Sequence, residues 1–111
     1  MRLEVFFADP RLRDRCASAR ELQREYGLAG AKRVGQRLRA LHAAESLDDV
    51  MRGPGRCHPL KGQHYEDCYA LDLLAGWRLV FRLMTANERT ARGVTDDVGA
   101  LVIEIIDYHD G

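Results

Sequence analysis

Three short clusters carry side chains suited to moving protons and holding phosphate: His58-Pro-Leu-Lys61-Gly62, Trp77-Arg78, and Asp107-Tyr108-His109. Each is a weak signal alone. As a set they hold what RNA cleavage through the neighbouring 2′-hydroxyl requires: a base for that hydroxyl, cations for the phosphate oxygens, and an acid for the departing 5′-oxygen. Imidazole suits proton transfer because its unperturbed pKa is about 6.5. Lys61 and Arg78 offer fixed cationic donors for the phosphate, and Arg56 lies in the same basic stretch. Tyrosine and histidine can each act as acid or base once tuned, so the direction of proton flow stays open.

Plainer readings stand beside each cluster. Asp107, Tyr108 and His109 also make an ordinary solvated strand end, and Lys61 before Gly62 an ordinary exposed turn. Cys57, His58, His64 and Cys68 invite a zinc reading, but their spacing matches no regular paired-ligand pattern, so no metal ligand is assigned. Trp77 alternates with Leu79, Phe81 and Leu83 and reads as core packing, as does Tyr69, whereas Tyr65 is open between packing and base stacking.

The elements that must position these groups follow from periodicity. Leu3, Val5 and Phe7 alternate in a strand over residues 2–7. Asp9-Pro10 then reads as a helix cap with proline in the first turn, and Leu12, Cys16, Ala19, Leu22 and Tyr26 continue a helical stripe to Gly27. A second stripe, Leu28, Ala31, Val34, Leu38, Leu41 and Ala44, leaves Lys32, Arg33, Arg37 and Arg39 mostly off its face and predicts an αα-hairpin turning at Gly27. Residues 51–62 are too rich in glycine and proline for a regular element and read as a constrained loop. Strands are expected over residues 68–74, 77–84 and 101–108, with a tight turn at Ala75-Gly76. Residues 85–99 read as an extended hairpin tip. The resulting order is βααβββ, an α+β fold in which a helical hairpin packs on a small antiparallel sheet.

Composition narrows the class. With 111 residues, 46% of them hydrophobic, the chain suits a single domain over 1–111. Lys and Arg number 17 and Asp and Glu 17, so any polyanion site must come from local charge rather than overall charge. Between Asp49 and Glu66 there is no acidic residue, while Arg52, Arg56, His58, Lys61 and His64 fall inside that gap. Neither a secretory leader nor a membrane span is apparent, and three irregularly spaced cysteines fit reduced thiols, so a cytoplasmic protein is expected.

The pieces His58-Pro-Leu-Lys-Gly62, Tyr69-Ala-Leu-Asp-Leu73, Trp77-Arg-Leu-Val-Phe-Arg82 and Glu104-Ile-Ile-Asp-Tyr-His109, in this order behind a helical hairpin, resemble the RelE/ParE toxin superfamily, specifically its HigB-type branch. The resemblance implies a metal- and cofactor-independent endoribonuclease that cuts mRNA in the ribosomal A site. It also implies neutralisation by a helix-turn-helix, HigA-like antitoxin, through which any DNA contact would be indirect. Carried over by motif, the catalytic set is His58, Lys61, Asp107, Tyr108 and His109, with Lys61 and Arg78 on the phosphate; Arg56 joins the phosphate-binding candidates from its place in the basic stretch. A non-catalytic ParE-type gyrase binder and an inactive relative that only binds its antitoxin are the alternatives. The neutral charge and the long segment 85–99 depart from the pattern.

Overall fold

The computed structural model describes residues 3–95 and 98–107. The first strand, β1 (Glu4–Phe7), is followed by α1 (Pro10–Cys16), which starts as its sequence predicts: the Asp9 carboxylate accepts from the Arg11 N–H at 2.9 Å. The expected helix over 10–26 is interrupted, because α1 ends at Ala17 and Ser18 begins α2 (Ala19–Ala43), its hydroxyl accepting from the Glu21 N–H at 3.1 Å. Gly27, at φ 76° and ψ 171°, breaks the helical path of α2 where the turn was expected. A Cβ on Gly30 would lie 2.8 Å from that of Tyr26, so the two halves meet closely. The second stripe is also altered: Val34 and Leu41 are buried, but Leu28 is 61% exposed and Arg37 is the buried cation of this helix.

A short α3 (Leu47–Arg52), capped by the Ser46 hydroxyl on the Asp49 N–H, occupies the start of the expected loop. Then come β2 (His58–Pro59), β3 (Cys68–Asp72) and β4 (Trp77–Leu83). Between β3 and β4, Ala75 and Gly76 both have positive φ and Trp77 N–H bonds to the Leu74 carbonyl at 3.1 Å, the tight hairpin read from the sequence. The segment 85–99 is not an extended tip. It contains α4 (Ala86–Ala91), opened by a reciprocal capping box between Thr85 and Glu88, before β5 (Gly99–Asp107).

The five strands form one sheet in the order β1-β5-β4-β3-β2. All pairs are antiparallel except β1 with β5, so the α+β sheet is mixed. The long run of chain between Phe7 and Gly99 supplies the crossover that a parallel pair requires. One face carries Leu71, Leu79, Phe81 and Val102 against Leu12, Leu22, Val34 and Leu41 of the helices, forming the main core. The register places His58, Ala70, Asp72, Arg78, Val80 and Glu104 on the other face. At the β1–β5 end that second face is covered by Met84 and Val94, which pack with Leu101, Phe6 and Ile103. The remainder forms the floor of the candidate site.

Candidate active site

A register shift against Val80 and Phe81 puts Glu104 opposite Val80 and Val102 opposite Phe81, leaving Ile103 as the extra residue of β5. It lets Ile103 and Glu104 both serve the second face and returns Ile105 to the main core. Tyr65, in the loop between β2 and β3, donates its hydroxyl to Glu104 at 3.0 Å. Glu104 ends the cross-strand row Ala70, Val80 and Glu104, of which Ala70 and Val80 are fully buried.

His58 is half-buried on β2, opposite Ala70. Its Nδ1 lies 2.8 Å from the Arg56 carbonyl oxygen. A carbonyl can only accept, so this bond assigns the proton to Nδ1 and, in the neutral ring, the lone pair to Nε2. Proline at 59 fits this position because β2 is an edge strand and needs no further ladder donor there. Lys61 follows just past the ladder, where Leu60 N–H bonds to the Cys68 carbonyl at 2.9 Å. Lys61 is exposed and makes no ion pair among the described residues.

The two arginines assigned to phosphate are both engaged by one acid. Arg78 Nε bonds Asp72 Oδ1 at 3.0 Å, and Arg56 Nε pairs with Asp72 Oδ2 at 3.1 Å. The main chain of Asp72 is held as well: its N–H donates to the Gly55 carbonyl at 2.7 Å, and its carbonyl accepts from the buried Arg37 Nε at 2.9 Å. Burial, followed by the proximity of Arg33, lowers the Arg37 pKa, while Asp72 opposes that shift. Gly55 and Arg56 both have positive φ, at 103° and 50°, and this turn is tied to Asp72 through the Gly55 carbonyl and the Arg56 guanidinium.

Asp107 is exposed at the end of β5, opposite Trp77, and Ile106 stands opposite Arg78. Tyr108 and His109 lie outside the described residues. The structure thus joins Arg56 and Arg78 through Asp72, ties His58 to the Arg56 carbonyl, sets Lys61 just past β2, and places Asp107 one residue beyond the Arg78–Ile106 pair. Asp72 and Arg37 escaped the sequence reading. The signal for Asp72 was present, since a tight Ala75-Gly76 turn fixes it opposite Arg78 in the hairpin register.

The aromatic side chains pack largely as expected. Tyr69 stacks on Phe81 with centroids 5.8 Å apart, and Trp77 meets Tyr26 edge-on at 5.0 Å. Among the described residues, no group of three or more His, Cys, Asp or Glu side chains is placed to hold a metal ion. Among them, too, no helix is long and apolar enough to cross a membrane. Burial pushes the Cys57 thiol up to about 11, away from thiolate chemistry.

No protein-family model matches the sequence, and no curated protein sequence matches it either. Solved structures do. A YoeB/ParE toxin from Agrobacterium tumefaciens superposes with a TM-score of 0.61 over 96% of this chain and 100% of its own, at 14% identity. The fold is that of the YoeB/ParE toxins. A YoeB-YefM complex from Staphylococcus aureus gives a TM-score of 0.56 over 98% of this chain and 99% of the matched one, at 16% identity. At such identities the likeness establishes architecture, and the chemistry must be argued from the residues.

Proposed function

We propose that this chain is the toxin of a type II toxin-antitoxin pair, of the HigB kind, and that it cleaves mRNA on the ribosome in the cytoplasm. The observation that carries this reading is the cluster on the sheet face opposite the main core in which Asp72 joins Arg56 and Arg78 and the Arg56 carbonyl holds His58, with Lys61 in the adjoining loop. The YoeB/ParE-like fold supports it. His58 Nε2 takes the proton from the 2′-hydroxyl, and the 2′-oxygen attacks phosphorus. The bond from phosphorus to the 5′-oxygen breaks, leaving a 2′,3′-cyclic phosphate and a 5′-hydroxyl. Lys61, Arg56 and Arg78 stabilise the charge gathering on the phosphate oxygens, the effect that most often dominates such catalysis. Asp107, Tyr108 and His109 complete the set by orienting the base and protonating the leaving oxygen. No metal or organic cofactor enters this route.

The proposed partner is a helix-turn-helix, HigA-like antitoxin. The YoeB-YefM complex among the structural neighbours supports a partner of antitoxin type. A ParE-like gyrase binder is the second reading, favoured by the pairing of Arg56 and Arg78 with Asp72 in place of a phosphate. Incubating the purified protein with programmed ribosomes and, separately, with gyrase and supercoiled DNA decides between the two. Cleavage of ribosome-bound mRNA that is lost in His58→Ala supports the endonuclease; intact mRNA with poisoned gyrase supports the binder.

A further inference from the structure

Asp72 makes four contacts, to three segments: the Gly55-Arg56 turn, α2 and β4. Its N–H goes to Gly55, its carbonyl to Arg37, and its two carboxylate oxygens to Arg78 and Arg56. Asp72 thus meets Arg56 and Arg78 with its carboxylate and Arg37 with its carbonyl, and Arg33 is close enough to lower the Arg37 pKa. Among these named groups the arginines outnumber the acid, in a chain whose formal net charge is zero. A carboxylate included merely to neutralise would not need its own backbone fixed at both ends.

The two arginines differ in what they need. Arg78 sits on a central strand with its side chain 24% exposed, whereas the Arg56 side chain is 80% exposed and would otherwise sample many rotamers. Asp72 pairs ionically with Arg56 Nε at 3.1 Å, which restricts that side chain while leaving its guanidinium open to solvent. The Arg56 carbonyl also receives the His58 Nδ1–H. Moving the Arg56 segment would therefore move the proposed base together with the cation.

We propose that Asp72 is a positioning residue that sets Arg56 and Arg78 as a two-guanidinium fork for one RNA phosphodiester, and through the Arg56 main chain keeps His58 in line with it. The RNA assignment rests on the function proposed above. The negative charge on Asp72 competes with phosphate for both arginines, so its role is orientation at some expense of affinity. That predicts opposite effects on binding and on turnover, which neither a structural nor an idle residue would give.

The test uses Asp72→Asn, with affinity read by fluorescence anisotropy on a short single-stranded 2′-O-methyl oligoribonucleotide that cannot be cleaved, and turnover read on programmed ribosomes. The expected result is binding about threefold tighter, with a steeper salt dependence, and cleavage slower by at least about tenfold. Wild-type turnover, or parallel losses in binding and turnover, overturns the proposal. If Asp72→Asn does not fold, Arg56→Lys serves: it keeps the charge and loses the fork, so affinity should stay within about twofold while cleavage falls about tenfold. Wild-type cleavage by Arg56→Lys overturns the proposal. Should the wild type itself leave mRNA intact, the proposed function fails, and the oligonucleotide arm still judges the fork: unchanged affinity in Asp72→Asn rejects it, and tighter binding upholds it.

Discussion

Replacing Glu88 by Gln should destabilise the protein by about 1 kcal/mol at neutral pH and by almost nothing in strong acid. The Arg82 guanidinium reaches both Glu88 oxygens, at 2.6 and 2.7 Å, and the Thr85 N–H bonds the same carboxylate at 2.9 Å. The hydrogen bond from Arg82, followed by that from Thr85, brings the Glu88 pKa from 4.5 down to about 2. Taken whole, that difference corresponds to an upper bound of about 3.4 kcal/mol. The Arg82 and Glu88 side chains are 27% and 31% exposed, and solvent screening removes most of this, leaving about 1 kcal/mol. Because the folded-state pKa is depressed, the stabilisation is fully present above about 4.5 and is lost as pH falls towards about 2. Gln can still complete the capping box, so the substitution isolates the charge. Urea unfolding of wild type and Glu88→Gln at a series of pH values from neutral to 2.5 measures the difference, using pH-stable buffers of constant ionic strength. A deficit that persists unchanged at the acid end would refute the linkage argument, as would no deficit at neutral pH.

Other consequences follow from the same geometry. Gly55→Ala combines φ +103° with a Cβ 2.7 Å from Arg37 Nε, and should cost about 1–3 kcal/mol in urea unfolding while disturbing the Arg56 segment. Phe81→Ala empties the centre of the main core, where the ring is fully buried, and should cost about 3–5 kcal/mol in the same assay. Cys57, buried and titrating at about 11, should react with iodoacetamide at neutral pH far more slowly in the folded protein than in urea; equal rates would contradict its burial.

The parts legible in the sequence were those coded by neighbours. The β3–β4 hairpin announced itself through Ala75-Gly76 and the alternation on either side, and its register follows from the turn. The helix starts were equally legible but masked. Ser18 to Glu21, Ser46 to Asp49 and Thr85 to Glu88 all pair a hydroxyl cap with an acid three residues on, and each cap accepts from that acid's N–H. The first was hidden because apolar residues kept helical spacing straight across Ser18. The second fell between the end of the helical stripe at Ala44 and the loop read from residue 51, and the third in a polar segment read as a hairpin tip.

What depended on distant pairing could not be read. Nothing local tells β1 to lie parallel to β5, and nothing in the helix marks Arg37 as the cation to bury, since its partner carbonyl on Asp72 lies 35 residues away. The candidate site divides in the same way. His58, Lys61 and Arg78 were identifiable by residue type and by resemblance. The contacts of Asp72 emerge only once the Gly55-Arg56 turn, α2 and β4 are assembled around β3, because they come from those three segments.

The most direct test of the endonuclease is primer extension on mRNA from cells expressing this chain alone, wild type beside Lys61→Ala at matched soluble levels. Lys61 is exposed and outside the core, so its removal should leave the fold intact while cleavage falls by about a hundredfold or more. The account predicts translation-dependent cuts that disappear in Lys61→Ala. Growth arrest with uncut mRNA, or cuts that persist undiminished in the mutant, would contradict it.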